Sequence, residues 1–355
     1  IPAAQYDLTS VFTNAMAVAP YRGAGRPEAT YLVERIMDET ARHCRLDPAE
    51  VRRRNLIRPE EFPYKTPSGL VYDSGQYEAA LDRALHLVDY KHMRDAQLQA
   101  RAEGRCLGVG LACFVETAGV GPSKTTHILG WESGSVRIEP SGKVTVVTGT
   151  SPHGQGLETA FAQVTADFLG VPMDAVVVRH SDTAIVAAGV GTFGSRSIAV
   201  GGPAIVTSIE KVLDKARRIA AALLEASPED LVFEEGRFLV RGVPGRTITL
   251  AEVADAAYAG ERLPPGMEPG LEATTVWEPP NFTFPSGTHI AVVEVDPHSG
   301  SVRLLRFVAV DDCGRVINPM LVEGQIQGGL AQGIGQALWE QMVYDADGQC
   351  LTDTL

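Results

Sequence analysis

The sequence is short of cysteine. It has five, Cys44, Cys106, Cys113, Cys313 and Cys350, an odd number with no C-x-x-C spacing among them. That argues against a disulfide framework, a zinc site and an iron–sulfur cluster, and it suits a reducing cytoplasm. Positive charge is also scarce: Lys and Arg number 31 against 44 Asp and Glu, a net charge of −13. A surface for nucleic acid or an anionic membrane is therefore not expected. No apolar run approaches the ~18 residues that a membrane span requires. His153 has no His or Cys partner at ligand spacing, so no metal-ligating side chains are expected, and no Ser-His-Asp arrangement stands out. The opening "IPAAQYDLTS" has neither an initiator methionine nor a signal segment. The end, "GQCLTDTL", follows directly on an apparent strand and turn. Both ends are expected to be cuts in a longer polypeptide.

What is present suits a globular protein, with 45% hydrophobic and 21% charged residues in 355, enough for two domains. From Pro27 a helix is expected with its apolar face on Leu32, Val33, Ile36, Met37, Ala41 and Cys44. Asp47-Pro48 starts a second helix, a Pro- and Gly-rich connector follows, and another helix is expected over about Tyr77 to Glu103. Strands then take over: "CLGVGLACFVET", and "SVRIEP" with "KVTVVTGT" as a hairpin turning at Ser141-Gly142. Next come the helix "GLETAFAQVTADFLG", the strand "AVVVRHSD" and a long helix over about Ala199 to Ala226. The strands "LVFEEGRFLV", "HIAVVEVD" and "SVRLLRFVAVDD" complete the pattern. The fold class is α+β, with mixed sheets and helices, and the domains divide at 1–100 and 101–355.

Four loops carry candidate chemistry. In "TGTSPHGQGLETAFAQ", Gln155 and Gly156 stand between a strand and a helix start, where free amides suit a phosphate or oxyanion; an ordinary turn explains them equally. "GVGTFGSRSIAVGG" holds Gly189-x-Gly191-x-x-Gly194, a formal dinucleotide fingerprint. Its context does not fit, because Glu210 and Asp214 fall inside the next helix; an anion loop using Ser195, Arg196 and Ser197 remains open. "PYRGAGRPEA" sets Arg22 and Arg26 around Gly23-Ala24-Gly25, as substrate-side groups or as surface partners of Glu28 or Glu34. Cys313 lies in "DDCGRVINP", either a buried structural thiol or part of a site. The helix after it carries Gly324, Gly328, Gly329, Gly333 and Gly335, each costing roughly 0.8–1 kcal/mol against alanine. Either a close-packed neighbour or a ligand lying against the helix would justify them, and the interleaved Gln325, Gln327, Gln332 and Gln336 could serve a heterocycle.

Together, "YRGAGRPEA", "GTSPHGQGLETAFAQVTADFLG", "GTFGSRSIAVGG" and "VDDCGRVINPMLVEGQIQGGLAQGIGQAL", in that order, resemble the large molybdopterin-binding subunit of the molybdenum hydroxylases. That group holds xanthine dehydrogenase, aldehyde oxidase and aerobic carbon monoxide dehydrogenase. The resemblance implies molybdenum held by molybdopterin, extended as a cytosine dinucleotide, with no side chain ligating the metal. It places Gln155 and Gly156 near the metal and its oxo group, and Gly194, Ser195, Arg196 and Ser197 at the pterin or its phosphates. Cys313 and Gln325 would contact the dinucleotide or pterin, and Arg22, Gly23 and Ala24 would form the substrate-side loop.

The implied activity is hydroxylation of an aldehyde, or of an N-heterocyclic or aromatic carbon, with oxygen from water. The implied partners are an iron–sulfur small subunit and an FAD-binding medium subunit, assembled as a homodimer of heterotrimers. Carbon monoxide dehydrogenases read A-Y-R-C-S-F-R in the substrate-side loop, with a cysteine that joins copper to molybdenum; here glycine, Gly23, stands in its place. Xanthine-type enzymes carry an aromatic residue where Ala24 stands. The family's general base is a glutamate in a G-x-G-E segment, and the sequence reaches Leu355 without one. These residues alone are therefore expected to be nearly inactive. A carbon monoxide dehydrogenase-like subunit without the copper thiol, a non-catalytic cofactor-binding module and an NAD-binding protein are the alternatives.

Overall fold

A computed structural model describes residues 5, 7–17, 19–186 and 188–352; the chain ends Ile1 and Leu355 lie outside them. In chain order the elements are α1 (Arg26–Cys44), α2 (Pro48–Arg53), β1 (Tyr64–Lys65), β2 (Val71–Tyr72), α3 (Tyr77–Val88), α4 (Tyr90–Ala102), β3 (Cys106–Val115), α5 (Ser123–Thr126), β4 (Glu132–Ile138), β5 (Val144–Thr148) and α6 (Leu157–Leu169). There follow β6 (Val176–Arg179), α7 (Gly202–Leu223), β7 (Leu231–Glu234), β8 (Arg237–Val240), β9 (Thr247–Thr249), α8 (Leu250–Tyr258), β10 (Glu272–Trp277), β11 (Ser286–Val295), β12 (Val302–Asp312) and α9 (Pro319–Leu338). Helices and mixed sheets make the fold α+β. It divides into two compact units, one of residues 1–116, 284–315 and 323–355, the other of 117–283 and 316–322. The expected division at residues 100 and 101 falls within the last turn of α4, inside the first unit.

The first unit is built on the antiparallel sheet β12-β11-β3. Leu81, Ala84 and Val88 of α3 pack with Ala49 of α2 against Leu111, Ile290, Val292 and Val308 on one face of that sheet. The single helix expected over Tyr77–Glu103 is broken at Asp89, which adopts φ +53° and both ends α3 and starts α4. Aspartate is among the few residues that tolerate this left-handed region, so neither glycine nor proline announced the break.

Helix α1 also departs from expectation. Of its apolar positions only Ala41 is buried, while Leu32, Val33 and Ile36 are 61%, 56% and 55% exposed. The buried side instead carries Glu34, whose Oε2 accepts from Arg52 Nε at 2.6 Å. Burial raises the Glu34 carboxyl above its usual range, with Arg52 opposing that shift. Arg52 is fully enclosed and also donates to the carbonyls of Pro48, Glu34 and Leu111 and to Asp38. One guanidinium thereby ties α1, α2 and β3 together.

In the second unit the sheet order is β10-β4-β5-β6, with β5 and β6 parallel and the other pairs antiparallel. The β4–β5 hairpin turns at Ser141-Gly142 as the sequence predicts, with φ +81° at Gly142. Helix α6 makes the crossover from β5 to β6. Ile205, Ile209, Val212, Ala216 and Ile219, at helical spacing along α7, are all buried. They join Val136, Ile138, Val144, Val146 and Phe161 in one core. "LVFEEGRFLV" is a hairpin, β7 and β8, that turns at Glu235 and Gly236, with φ +46° and +73°. Helix α8 and strand β10 had no sequence expectation, although α8 opens with a Thr249–Glu252 capping box.

Candidate functional site

The candidate residues fall in both units, and each group is built separately. In the second unit, the loop between β5 and α6 ends at Gly156, the N-cap of α6, with φ +79° and no side-chain cap. The first amides of α6 thus lack a capping side chain, which leaves the positive end of the helix dipole open. The left-handed φ of Gly156 favours glycine, and a Cβ there would also press on the Leu321 side chain, 2.5 Å from Cδ2. Half-buried Gln155 folds back on its own loop: Nε2 donates to Ser151 O at 3.2 Å and Oε1 accepts from His153 N at 2.5 Å. Gly154 has no described atom within 4 Å of where a Cβ would stand.

The loop 189–197 lies against the first. A Cβ on Gly189 would be 2.6 Å from Gly149 Cα, so the two backbones touch. Ser151 N donates to Thr192 Oγ1 at 2.9 Å, and Thr192 Oγ1 in turn meets Ser197 Oγ at 2.9 Å. Gly194, with φ +54°, presses on Val120. Exposed Ser195 has φ +52°, and its carbonyl accepts from Gly119 N at 3.2 Å. Ser197 opens a π-helical turn, Ser197–Gly201, that runs into α7; such turns are frequent at functional sites. The glycines of the G-x-G-x-x-G string are thus placed by Gly149, Val120 and positive φ. This is not the strand–turn–helix context of a dinucleotide fingerprint.

Arg196 is fully buried. Its Nη1 donates to Glu132 Oε2 at 2.9 Å and to Gly191 O at 2.8 Å, and its Nη2 donates to Gly130 O at 3.1 Å and Trp131 O at 2.5 Å. Nε has no partner among the described residues. Glu132, likewise fully buried, also accepts from Val190 N at 3.2 Å and Gly191 N at 3.0 Å. The pair is therefore the internal frame of this loop. Sequence reasoning passed over Glu132 and Thr192; nothing marks a lone Glu at the start of "ESGSVRI" as the partner of an arginine 64 positions on.

In the first unit, Ala24 N donates to Tyr21 O at 2.7 Å and Arg26 N to Gly23 O at 2.9 Å, two overlapping turns before α1. Gly23, Ala24 and Gly25 have φ +89°, +48° and +92°. A Cβ at Gly23 would lie 2.5 Å from Pro27 Cδ. Arg26 pairs with Glu116 at 3.0 Å, not with Glu28 or Glu34. Arg22 Nη1 donates to the carbonyl of Gly328 in α9 at 3.4 Å. Cys313 is exposed, not a buried structural thiol, in a turn where Gly314 N donates to Asp312 Oδ1 at 2.9 Å.

Helix α9 resolves the mixed glycines and glutamines by spacing. Gly324, Gly328 and Gln332 follow one another at four-residue steps, with Gln325 and Gly329 beside them, while Ile326, Leu330 and Ile334 share the other side. No described atom lies within 4 Å of a Cβ built on Gly324, Gly328, Gly329 or Gly333. Close packing inside these residues is thus not their reason, and Gln325 is exposed among them. The open face fits a flat ligand: bare backbone permits close approach, and glutamine amides offer donors and acceptors.

A sequence model described as the molybdopterin cofactor-binding domain matches residues 83–355, and a second of the same description matches residues 1–56. The carbon monoxide dehydrogenase large chain of Hydrogenophaga pseudoflava is 44% identical over 100% of this chain and 45% of its own length. The nicotine 6-hydroxylase large subunit of Paenarthrobacter nicotinovorans is 37% identical over 99% of this chain and 44% of its own length. Among solved structures, quinoline 2-oxidoreductase from Pseudomonas putida 86 matches with a TM-score of 0.88 and 41% identity, over 94% of this chain and 43% of that one. The chain spans less than half the length of each of these relatives.

Proposed function

We propose a function from the premise that this chain belongs to the molybdopterin cofactor-binding domain family, whose model matches residues 83–355. These residues form much of the cofactor-binding framework in the large subunit of a molybdenum hydroxylase acting on an aldehyde, or on an N-heterocyclic or aromatic carbon. The observation that carries the reading is the uncovered glycine face of α9, with exposed Gln325 on it and Arg22 bonded to its Gly328 carbonyl. When bound, the cofactor supplies two-electron redox chemistry and transfer of oxygen derived from water.

Gly324 and Gly328 would let the pterin dinucleotide approach, and Gln325 would contact it with an amide that can donate and accept. Cys313 contacts the same group. Gln155 and Gly156 would lie near the metal and its oxo group, where the uncapped start of α6 favours negative charge. Gly194, Ser195 and Ser197 hold the pterin or its phosphates. Arg196 shapes that loop from behind through Glu132, because its hydrogen bonds go to protein acceptors. Arg22, Gly23 and Ala24 line the substrate side. A general-base glutamate comes from polypeptide outside these residues. The cofactor is the cytosine dinucleotide form, and the partners are an iron–sulfur small subunit and an FAD-binding medium subunit, in a homodimer of heterotrimers in the cytoplasm.

A carbon monoxide dehydrogenase-like reading is favoured by the 44% identity to such a large chain. The turn at Gly23 speaks against a copper-binding thiol: with φ +89° and Pro27 at 2.5 Å from any Cβ, a cysteine at 23 does not fit this loop. The test is Gln325→Ala in the intact complex, with molybdenum and pterin measured beside thermal melting. One lost hydrogen bond should weaken cofactor retention by about 2- to 10-fold with little change in melting. Full cofactor with early melting would overturn the reading, and turnover of carbon monoxide without any heterocycle or aldehyde turnover would favour the alternative.

A further inference from the structure

Helix α1 has three faces. One is buried and polar, where Glu34 and Ala41 turn inward and Arg52 closes on Glu34. A second is charged and satisfied along the helix itself, with Arg35 on Asp38 at 3.1 Å and Arg42 on Glu39 at 2.6 Å. The third spans roughly 140° of arc at 100° per residue and carries no Lys, Arg, Asp or Glu. On it Leu32, Ile36 and Val33 are 61%, 55% and 56% exposed. Thr40 and His43 share that arc, but three large aliphatic side chains this open on one helix face mark a packing surface.

We propose that the Leu32–Val33–Ile36 face of α1 is a packing surface for the large subunit's own polypeptide outside these 355 residues, not for a partner subunit or a second copy. Length supplies the occupant: the whole of this chain accounts for 45% of the Hydrogenophaga pseudoflava relative, so more than half of such a polypeptide remains to be placed. Position agrees, because α1 lies in the 1–56 match to a cofactor-binding domain, apart from the 83–355 match. A segment tethered in the same chain also reaches the stripe at high effective concentration.

The test uses the full-length subunit in its assembled complex. Ile36→p-benzoylphenylalanine is photolysed, and the cross-linked peptides are identified by mass spectrometry in a mixture of heavy- and light-labelled protein. The expected product joins position 36 to a peptide of the same large chain outside these residues, heavy to heavy or light to light. Cross-links to a smaller subunit, or heavy-to-light links between two copies, overturn the proposal. Carbene footprinting of the unsubstituted complex guards against a folding defect. Leu32, Val33 and Ile36 should be modified several-fold more slowly than in an unstructured peptide of the same sequence, and modification at the peptide's rate overturns the proposal.

Discussion

Glycines in the two units answer to opposite requirements. In the loops of the second unit, a methyl group at Gly149, Gly189 or Gly194 would collide with Gly189, Gly149 or Val120 of the same unit. Along α9, the places where methyl groups would stand on Gly324, Gly328, Gly329 and Gly333 are empty. The first set is fixed by the fold, and substitution there reports on stability. The second set costs helix propensity and meets no described atom, so no packing among the described residues accounts for it. Glycine-rich sequence is therefore two signals, and only the environment of each missing side chain separates them.

The comparison breaks most readily at the frame of the loops. Glu132→Ala should destabilise the second unit by about 3–5 kcal/mol, because it leaves the Arg196 guanidinium buried without its carboxylate. Denaturant melting measures this, and a loss below about 1 kcal/mol would mean that water reaches Arg196 and that the loops do not depend on the pair. Gly149→Ala should cost about 1–3 kcal/mol by overpacking, since a methyl group would meet both Glu132 and Gly189. A neutral result at Gly149 would erase the distinction between the two glycine sets.

How far the sequence foretold these arrangements depended on the range of the interaction. The β4–β5 hairpin and the buried stripe of α7 were legible because Ser141-Gly142 and an apolar four-residue rhythm act locally. The break at Asp89 was hidden, since aspartate enters the left-handed region without advertising it. Glu132 was illegible because its meaning lies in Arg196, far along the chain. At α1 the apolar period misled, because Leu32, Val33 and Ile36 lie exposed among the described residues and Glu34 faces inward instead. The candidate residues were legible as glycine-rich loops with Gln, Ser and Arg. That Arg196 is enclosed in the loop's internal frame while Gln325 is exposed on α9 required the fold.

The open glycine face sharpens the comparison in the other direction. Gly328→Ala should stabilise the 355-residue chain by about 0.8–1 kcal/mol, the propensity difference, since nothing described obstructs the methyl group. In the intact complex the same substitution should lower molybdenum content if, as proposed, the cofactor lies against this face. Melting of the chain and metal analysis of the complex give the two arms. A gain in stability with unchanged molybdenum would leave α9 as a surface for other polypeptide, not for cofactor.

The smallest effect on stability is expected at Arg22. Its side chain is exposed and its bond to Gly328 O is long, 3.4 Å, so Arg22→Ala should change stability by no more than about 0.5 kcal/mol. Its consequence is expected in kinetics, since the guanidinium links the turn at Gly23–Gly25 to the helix that bears Gln325. On the substrate-side role proposed for that turn, loss of the link should raise KM while molybdenum content holds. Arg22→Lys keeps the charge but lacks the planar fork, and should restore KM only in part if the hydrogen bond to Gly328 O is what orders the turn. Full restoration by lysine would instead assign Arg22 to charge alone, and a fall in molybdenum would move it from the substrate side to the cofactor side.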